Sequence, residues 1–214
     1  MRNVLLFFFI TFLTGNPILA ILIIIAIYLL IDYQYVGVSR SLFRKVRRGN
    51  EIRSLAHELR INPNDAAARS DLGRLLVHAH RYPEAVGHLE QAYERMHESE
   101  ETTCFLGIAY LWTGKPEEGE ALIQKALEKN PKFRYGEPYL KWGEYLLSEG
   151  KHSKAVEVLE KFGTIHSSSV EGNFLLGEAY RGVGEGAKAK TAYRTALEMF
   201  AQSPGYKRRQ ERPW

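Results

Sequence analysis

Apolar positions in the later two-thirds of the chain repeat on two scales. On the short scale they fall three and four residues apart, which lines up one face of an α-helix. On the long scale a large apolar residue followed by glycine returns four times, as Leu72-Gly73, Leu106-Gly107, Trp142-Gly143 and Leu176-Gly177. Twelve residues after each glycine stands a small residue: Ala85, Gly119, Ala155 and Ala189. Successive glycines of the set are 34, 36 and 34 residues apart. In the same phase come Leu76, Tyr110, Leu146 and Tyr180, then Leu89, Ile123, Leu159 and Tyr193, then Ala92, Ala126, Phe162 and Ala196. Each period therefore predicts two amphipathic helices. Gly114, Gly150 and Gly184 fall between the helices of a pair, where a left-handed helix-ending residue belongs, and His80 takes that place in the first pair. The recurring glycine and its small partner lie on different helices, so they are read as the point where two backbones cross. A period of this length means stacked helical hairpins rather than one globular core.

These residues resemble the signature of the tetratricopeptide repeat (TPR) family: large-Gly, then aromatic or Leu, Ala, apolar, Ala. Pro131 matches the proline that closes a repeat in that family. The resemblance implies an all-α helical-hairpin solenoid with units at residues 66–99, 100–133, 136–169 and 170–203, roughly two-thirds of the chain. The departures are mild. The aromatic usual at the fourth position is Arg69, Thr103, Tyr139 and Asn173, and three units lack the closing proline. Arg134 and Tyr135 are two extra residues in one joint, where the superhelical angle is open to change. Residues 51–65 read as a partial repeat that caps the first unit. Ile52, Leu55, Ala56 and Leu59 share a helical side there, and Asn62-Pro63-Asn64-Asp65 forms a turn and cap. No polar cap helix is visible after the fourth unit, where Ser203-Pro204-Gly205 breaks the pattern. Its outer face is left in need of a partner.

A different pattern fills the start of the chain. Residues 4–31 carry no charge and are almost wholly apolar, which predicts a transmembrane anchor over residues 1–35. Thr14-Gly15-Asn16-Pro17 interrupts it, with Asn suited to a helix N-cap and Pro to the first helical position. A fresh helix is expected from Pro17. Residues 4–13 either extend a kinked single span or form one arm of a re-entrant hairpin. A cleaved signal peptide fits less well, because the apolar run continues past Ala20. Arg40, Arg44, Lys45, Arg47 and Arg48 follow the span with no acid among them, against Arg2 alone before it. The positive-inside rule then puts the repeats in the cytoplasm, behind a single-pass anchor. The basic juxtamembrane segment, residues 36–50, either lies on the anionic membrane surface as an amphipathic helix or simply continues the span.

Charge and chemistry narrow the picture. The chain's net charge is +4, yet residues 64–203 hold 17 bases against 21 acids, so the repeats themselves are mildly acidic. That excludes the basic, aromatic face a nucleic-acid binder needs. The surplus base sits beside the anchor and in the tail, residues 204–214, where Lys207, Arg208, Arg209 and Arg212 meet only Glu211. Such a tail is either a solvated end or a contact for anionic lipid or an acidic partner. The single cysteine, Cys104, cannot form an internal disulfide and has no base positioned to activate it. His78 and His80 are wrongly spaced for two ligands on one helical face, and no metal-ligand set accompanies them. No phosphate loop or nucleophile elbow is present. No enzyme activity, metal or cofactor is expected.

The resemblance further implies that the first helix of each unit lines a concave partner-binding groove. On this chain that assigns Arg74 and His78 from the first unit, and Phe105, Ile108 and Trp112 from the second. The third supplies Leu140, Lys141 and Glu144, and the fourth Phe174, Glu178 and Arg181. An apolar and aromatic centre with charges around it suits a peptide or helix of a protein partner. The Lys/Asn/Arg set with which some relatives clamp a terminal carboxylate is not at the corresponding positions. Phe105 and Phe174 are alternatively side chains buried between helices. The function expected is a membrane-anchored scaffold or adaptor for protein partners. The alternative is a structural subunit of a membrane assembly, or a self-associating homo-oligomer.

Overall fold

The computed structural model describes residues 11–12, 15–31 and 38–203, apart from the side chains of residues 29–31 and 38–45. Most of the predicted first arm of the anchor (residues 4–10 and 13), residues 32–37, the basic tail, and the side chains of Arg40, Arg44 and Lys45 lie outside the described residues. Among those described there are ten α-helices and no strand. The helix α1, Pro17–Ile31, starts where the Asn16-Pro17 pair predicts. The Asn16 carboxamide oxygen accepts from the amide of Ile18 at 2.9 Å. This helix has 15 residues, and among the described residues no helix is long and apolar enough to cross a membrane.

The helix α2, Val38–Ile61, runs without a break through the expected boundary between juxtamembrane segment and capping repeat. Ile52, Leu55 and Ala56 pack on the repeat core and Leu59 is buried in it. Arg48 belongs to this packing too: its guanidinium donates to the carbonyl of His78 at 2.5 Å. It is thus bound to the end of the first unit's opening helix rather than presented as a free membrane-surface charge.

Four hairpins follow, and residues 48–202 form one compact unit. They are α3 and α4 (Ala66–His78, Tyr82–Met96), α5 and α6 (Glu100–Leu111, Pro116–Lys129), α7 and α8 (Glu137–Ser148, His152–Ile165), and α9 and α10 (Val170–Gly182, Gly186–Gln202). The helices form where the local chemistry allows them to start. Asp65, Ser99 and Ser169 each cap an opening helix, accepting from Ala68, Thr102 and Gly172 at 2.9, 3.2 and 3.0 Å. Each second helix starts after a left-handed turn residue: Gly114, Gly150 and Gly184 have φ of 82°, 69° and 82°, and His80 has 57°. The third unit lacks a side-chain cap and is entered through the inserted residues. Arg134 and Tyr135 have φ of 47° and 55°, and Gly136 follows at 82°.

The in-phase apolar residues are the core. Leu76, Leu89, Ile123, Leu146 and Leu159 are at most 2% exposed, and each such side chain contributes about 2 kcal/mol through burial. The recurring glycines have a more specific use than a simple backbone crossing. A Cβ on Gly73, Gly143 or Gly177 would strike the side chain of Leu89, Leu159 or Tyr193 at 2.3–2.5 Å. These glycines open a slot for the large residue four positions after the small one. Only at Gly107 does the small partner's own backbone close in, with the Gly119 carbonyl oxygen 2.7 Å from such a Cβ.

Candidate partner-binding groove

The opening helices α3, α5, α7 and α9 bring the predicted groove residues into one row, but at different depths. Phe105, Ile108 and Leu140 are 1%, 1% and 8% exposed, so they pack between helices as floor and core. Of the apolar and aromatic candidates, Trp112 and Phe174 keep part of their surface open. The expected open apolar centre is therefore replaced by a covered floor with a charged and aromatic rim. The physical reason is the opening helix of unit two, in which every residue from Thr102 to Leu111 is buried between its neighbours.

At the first-unit end, charges roof the floor. Arg74 pairs with Asp71 at 2.9 Å and with Glu101 at 3.2 Å. Arg134 reaches Glu137 at 2.7 Å and Glu101 at 3.3 Å, and its guanidinium lies 5.4 Å from the centre of the Phe105 ring. His78 meets the same ring edge-on at 5.3 Å, with Nδ1 3.6 Å from Glu137. Burial holds the His78 pKa below its ordinary value; Glu137 opposes this, and Arg134, Arg48 and Arg74 reinforce it. The imidazole is thus kept neutral in a cationic setting.

In the middle, aromatic rings step from unit to unit. Tyr82 stacks on Trp112 at 5.4 Å with an interplanar angle of 7°, and Trp112 meets Tyr145 edge-on at 5.5 Å. Lys141 donates to Glu144 at 2.8 Å beside them. Burial pulls the Lys141 pKa down, but Glu144, Glu171 and Tyr82 outweigh it and hold the ammonium above its usual range. At the far end Glu178 accepts from the Tyr193 hydroxyl at 2.6 Å and pairs closely with Arg181. Phe174 leans on the Tyr193 ring at 5.8 Å. Arg181 is 69% exposed and, besides pairing with Glu178, lines a shallow groove on the outer face of the fourth unit.

Sequence reasoning missed Arg134 and Tyr82 as contributors. Arg134 had a signal: it is one of the two residues that stretch a 34-residue spacing to 36, and an insertion there re-aims a side chain into the row. Tyr82 opens a second helix, where the one-face pattern says nothing about the groove. Burial pushes the Cys104 thiol well above the usual range, away from a nucleophilic thiolate. Among the described residues no cluster of His, Cys, Asp or Glu is arranged to hold a metal.

Models of the tetratricopeptide repeat match residues 76–137 and 170–203, the latter being the whole fourth unit. No curated protein matches the sequence. Solved structures of similar fold include MamA, with a TM-score of 0.61 at 24% identity over 78% of this chain and 97% of that one. A second MamA structure has a TM-score of 0.59 at 23% identity, over 86% and 96%. YrrB, described as a TPR protein with an unusual peptide-binding site, has a TM-score of 0.56 at 18% identity, over 83% and 90%. The chain carries tetratricopeptide repeats, and it folds as an all-α TPR solenoid.

Proposed function

We propose that this chain is a membrane-anchored TPR scaffold that holds a protein partner, as a peptide or helix, on the concave side of its repeats at the cytoplasmic face. The observation that carries the reading is the Tyr82–Trp112–Tyr145 step beside the Lys141–Glu144 pair. It offers partly open aromatic surface and an ion pair in one place, which is what anchors a peptide side chain and fixes its direction. The likeness to YrrB, with its peptide-binding site, points the same way. The anchor rests on the charge-free residues 4–31 and on α1, where Ile18, Leu22 and Ile25 are 68%, 58% and 48% exposed. Apolar surface of that kind is stabilised by lipid. Arg40, Arg44, Lys45 and Arg47 after it favour the cytoplasmic side for the repeats. Anchoring would raise the local concentration of a partner that is itself membrane-bound.

A photoreactive residue placed at Lys141 in the full chain, in native membranes, tests the groove. Crosslinks to a defined protein are expected there, absent from the same residue at Lys125 on α6, and lost on Trp112→Ala. Equal crosslinking from both positions overturns the assignment. Protease protection of the repeats in sealed, right-side-out cells is expected, and their digestion from outside would reverse the orientation. A second reading, a structural subunit of a membrane assembly or a self-associating scaffold, is favoured by Leu197, 69% exposed on the last helix. Sedimentation of the full chain in detergent discriminates it: a monomer across the accessible concentration range removes self-association.

A further inference from the structure

Each joint between repeat units is sealed by an acid on the leading unit and a donor on the following one. Glu90 of unit one accepts from the Tyr110 hydroxyl of unit two at 2.7 Å. Glu160 of unit three accepts from the Tyr180 hydroxyl of unit four at 2.5 Å. At the middle joint Glu120 accepts from the Trp142 indole at 3.3 Å and pairs closely with Lys154. Between these acids the apolar residues Leu89, Ile123 and Leu159 are covered to 1% exposure or less.

The fourth unit keeps the apolar half of this arrangement and inverts the charge. In repeat register Arg194 stands where Glu90 and Glu160 stand, and Lys190 stands where Glu120 stands. Both are exposed, and neither has an ion pair among the described residues. With Arg181, Ala189, Tyr193 and Leu197 they line a shallow groove on the outer face of α9 and α10. Leu197 is 69% exposed, whereas Leu127 in the same register of unit two is 5% exposed beneath unit three. Of the nearby carboxylates, Glu178 is held by Arg181 and Tyr193 at the groove edge and Glu185 by Lys188 at 2.6 Å, while Glu198, one turn after Arg194, forms no ion pair with it.

We propose that this outer face docks a helix of a partner protein that carries carboxylates beside an apolar stripe. The stacking face supplies the apolar contact, and Lys190 and Arg194 select the sign of the occupant. Other occupants match less well. The residues after Ser203 in this sequence hold four bases against one acid, the same sign as the face. The opposite end of a second copy presents α2, whose 51–61 stretch balances Glu51 and Glu58 with Arg53 and Arg60. This surface adjoins the concave groove only at its far end, through Tyr193 and Arg181, and includes neither Trp112 nor Lys141, so the proposal stands or falls independently of the peptide-binding reading there.

The test uses the full chain in detergent and two stapled helical peptides with the same Leu stripe, flanked in one by Glu and in the other by Lys, read by fluorescence anisotropy. The acidic peptide is expected to bind about tenfold or more tightly than the basic one. The preference should reverse in Lys190→Glu/Arg194→Glu and be unchanged in Trp112→Ala. Circular dichroism of the reversal variant checks that its helices persist. Equal affinity for both peptides, no binding of either, or a preference that survives the reversal overturns the proposal. So does self-association of the chain that the acidic peptide does not compete.

Discussion

The hydroxyl of Tyr110 donates to Oε1 of Glu90 across the joint between units one and two, at 2.7 Å. Two units later Tyr180 repeats the bond to Glu160. Burial, and then the carboxylate, push the Tyr180 phenol up to about 12, and the Tyr110 phenol moves the same way for the same reasons. Stacked repeats gain stability from such neighbour contacts as much as from each hairpin alone. Tyr110→Phe is expected to lose about 1 kcal/mol, because Glu90 is partly solvated and recovers some water. Urea titration reads the loss. On a Glu90→Ala background the same substitution should cost clearly less, and an undiminished cost would place the effect in packing instead.

The recurring glycines should not be equivalent. Alanine at Gly143 meets only side-chain atoms of Leu159, Cδ2 at 2.5 Å and Cγ at 2.6 Å, which give way with less disturbance than a helix backbone. Alanine at Gly107 meets the Gly119 carbonyl at 2.7 Å and the Ile123 amide at 3.1 Å, and backbone cannot shift without moving a helix. Gly107→Ala is expected to destabilise by about 2 kcal/mol or more, even after the helix-propensity gain of about 1 kcal/mol. Gly143→Ala should lose less. The denaturation midpoints of the two variants give the order directly.

His80 holds the left-handed turn position that glycine holds in the other three units, with φ of 57°. An L side chain there costs about 1 kcal/mol relative to glycine. The His80 ring gains an exposed 2.8 Å hydrogen bond with the Tyr82 hydroxyl and an edge-on contact with that ring at 5.7 Å. His80→Gly should therefore raise the thermal midpoint. A lower midpoint would show that the His80–Tyr82 contact outweighs the backbone strain.

Two histidines set an acid limit on the fold. Burial lowers His78, as described, and burial and Arg69 lower His88 against the pull of Glu84. A histidine with a depressed folded pKa binds its proton more readily when unfolded. Its contribution is intact above the unfolded value of about 6.5 and is lost as pH falls through the folded value. Stability is expected to fall as pH drops below about 6.5. The carboxylates with lowered values, Glu84 and Glu178, titrate at lower pH. His78→Gln with His88→Gln should flatten the slope, and an unchanged slope assigns it to other groups.

Much of the fold was legible because the features that build it are local. The left-handed turn between helices shows as glycine at three of four positions, and the cap of the first opening helix shows in the turn that ends at Asp65. The site was less legible. A residue on the inner side of an opening helix faces a partner only if the next unit leaves it uncovered. Phe105 and Leu140 are covered by neighbours that a one-helix pattern does not contain. Arg134 enters the row because its backbone turns left-handed in the joint, and Tyr82 because its ring reaches across to Trp112.

By itself the sequence determined the repeat period, the hairpin as the unit, the apolar face of each helix and the charge-free opening stretch. Each of these follows from spacing along a single chain, since helical periodicity maps residue number onto direction. The tertiary structure decided which aromatic rings remain open and which ions roof the floor. Those depend on how far one unit's side chains reach over the next, a distance between helices that no spacing within a helix encodes.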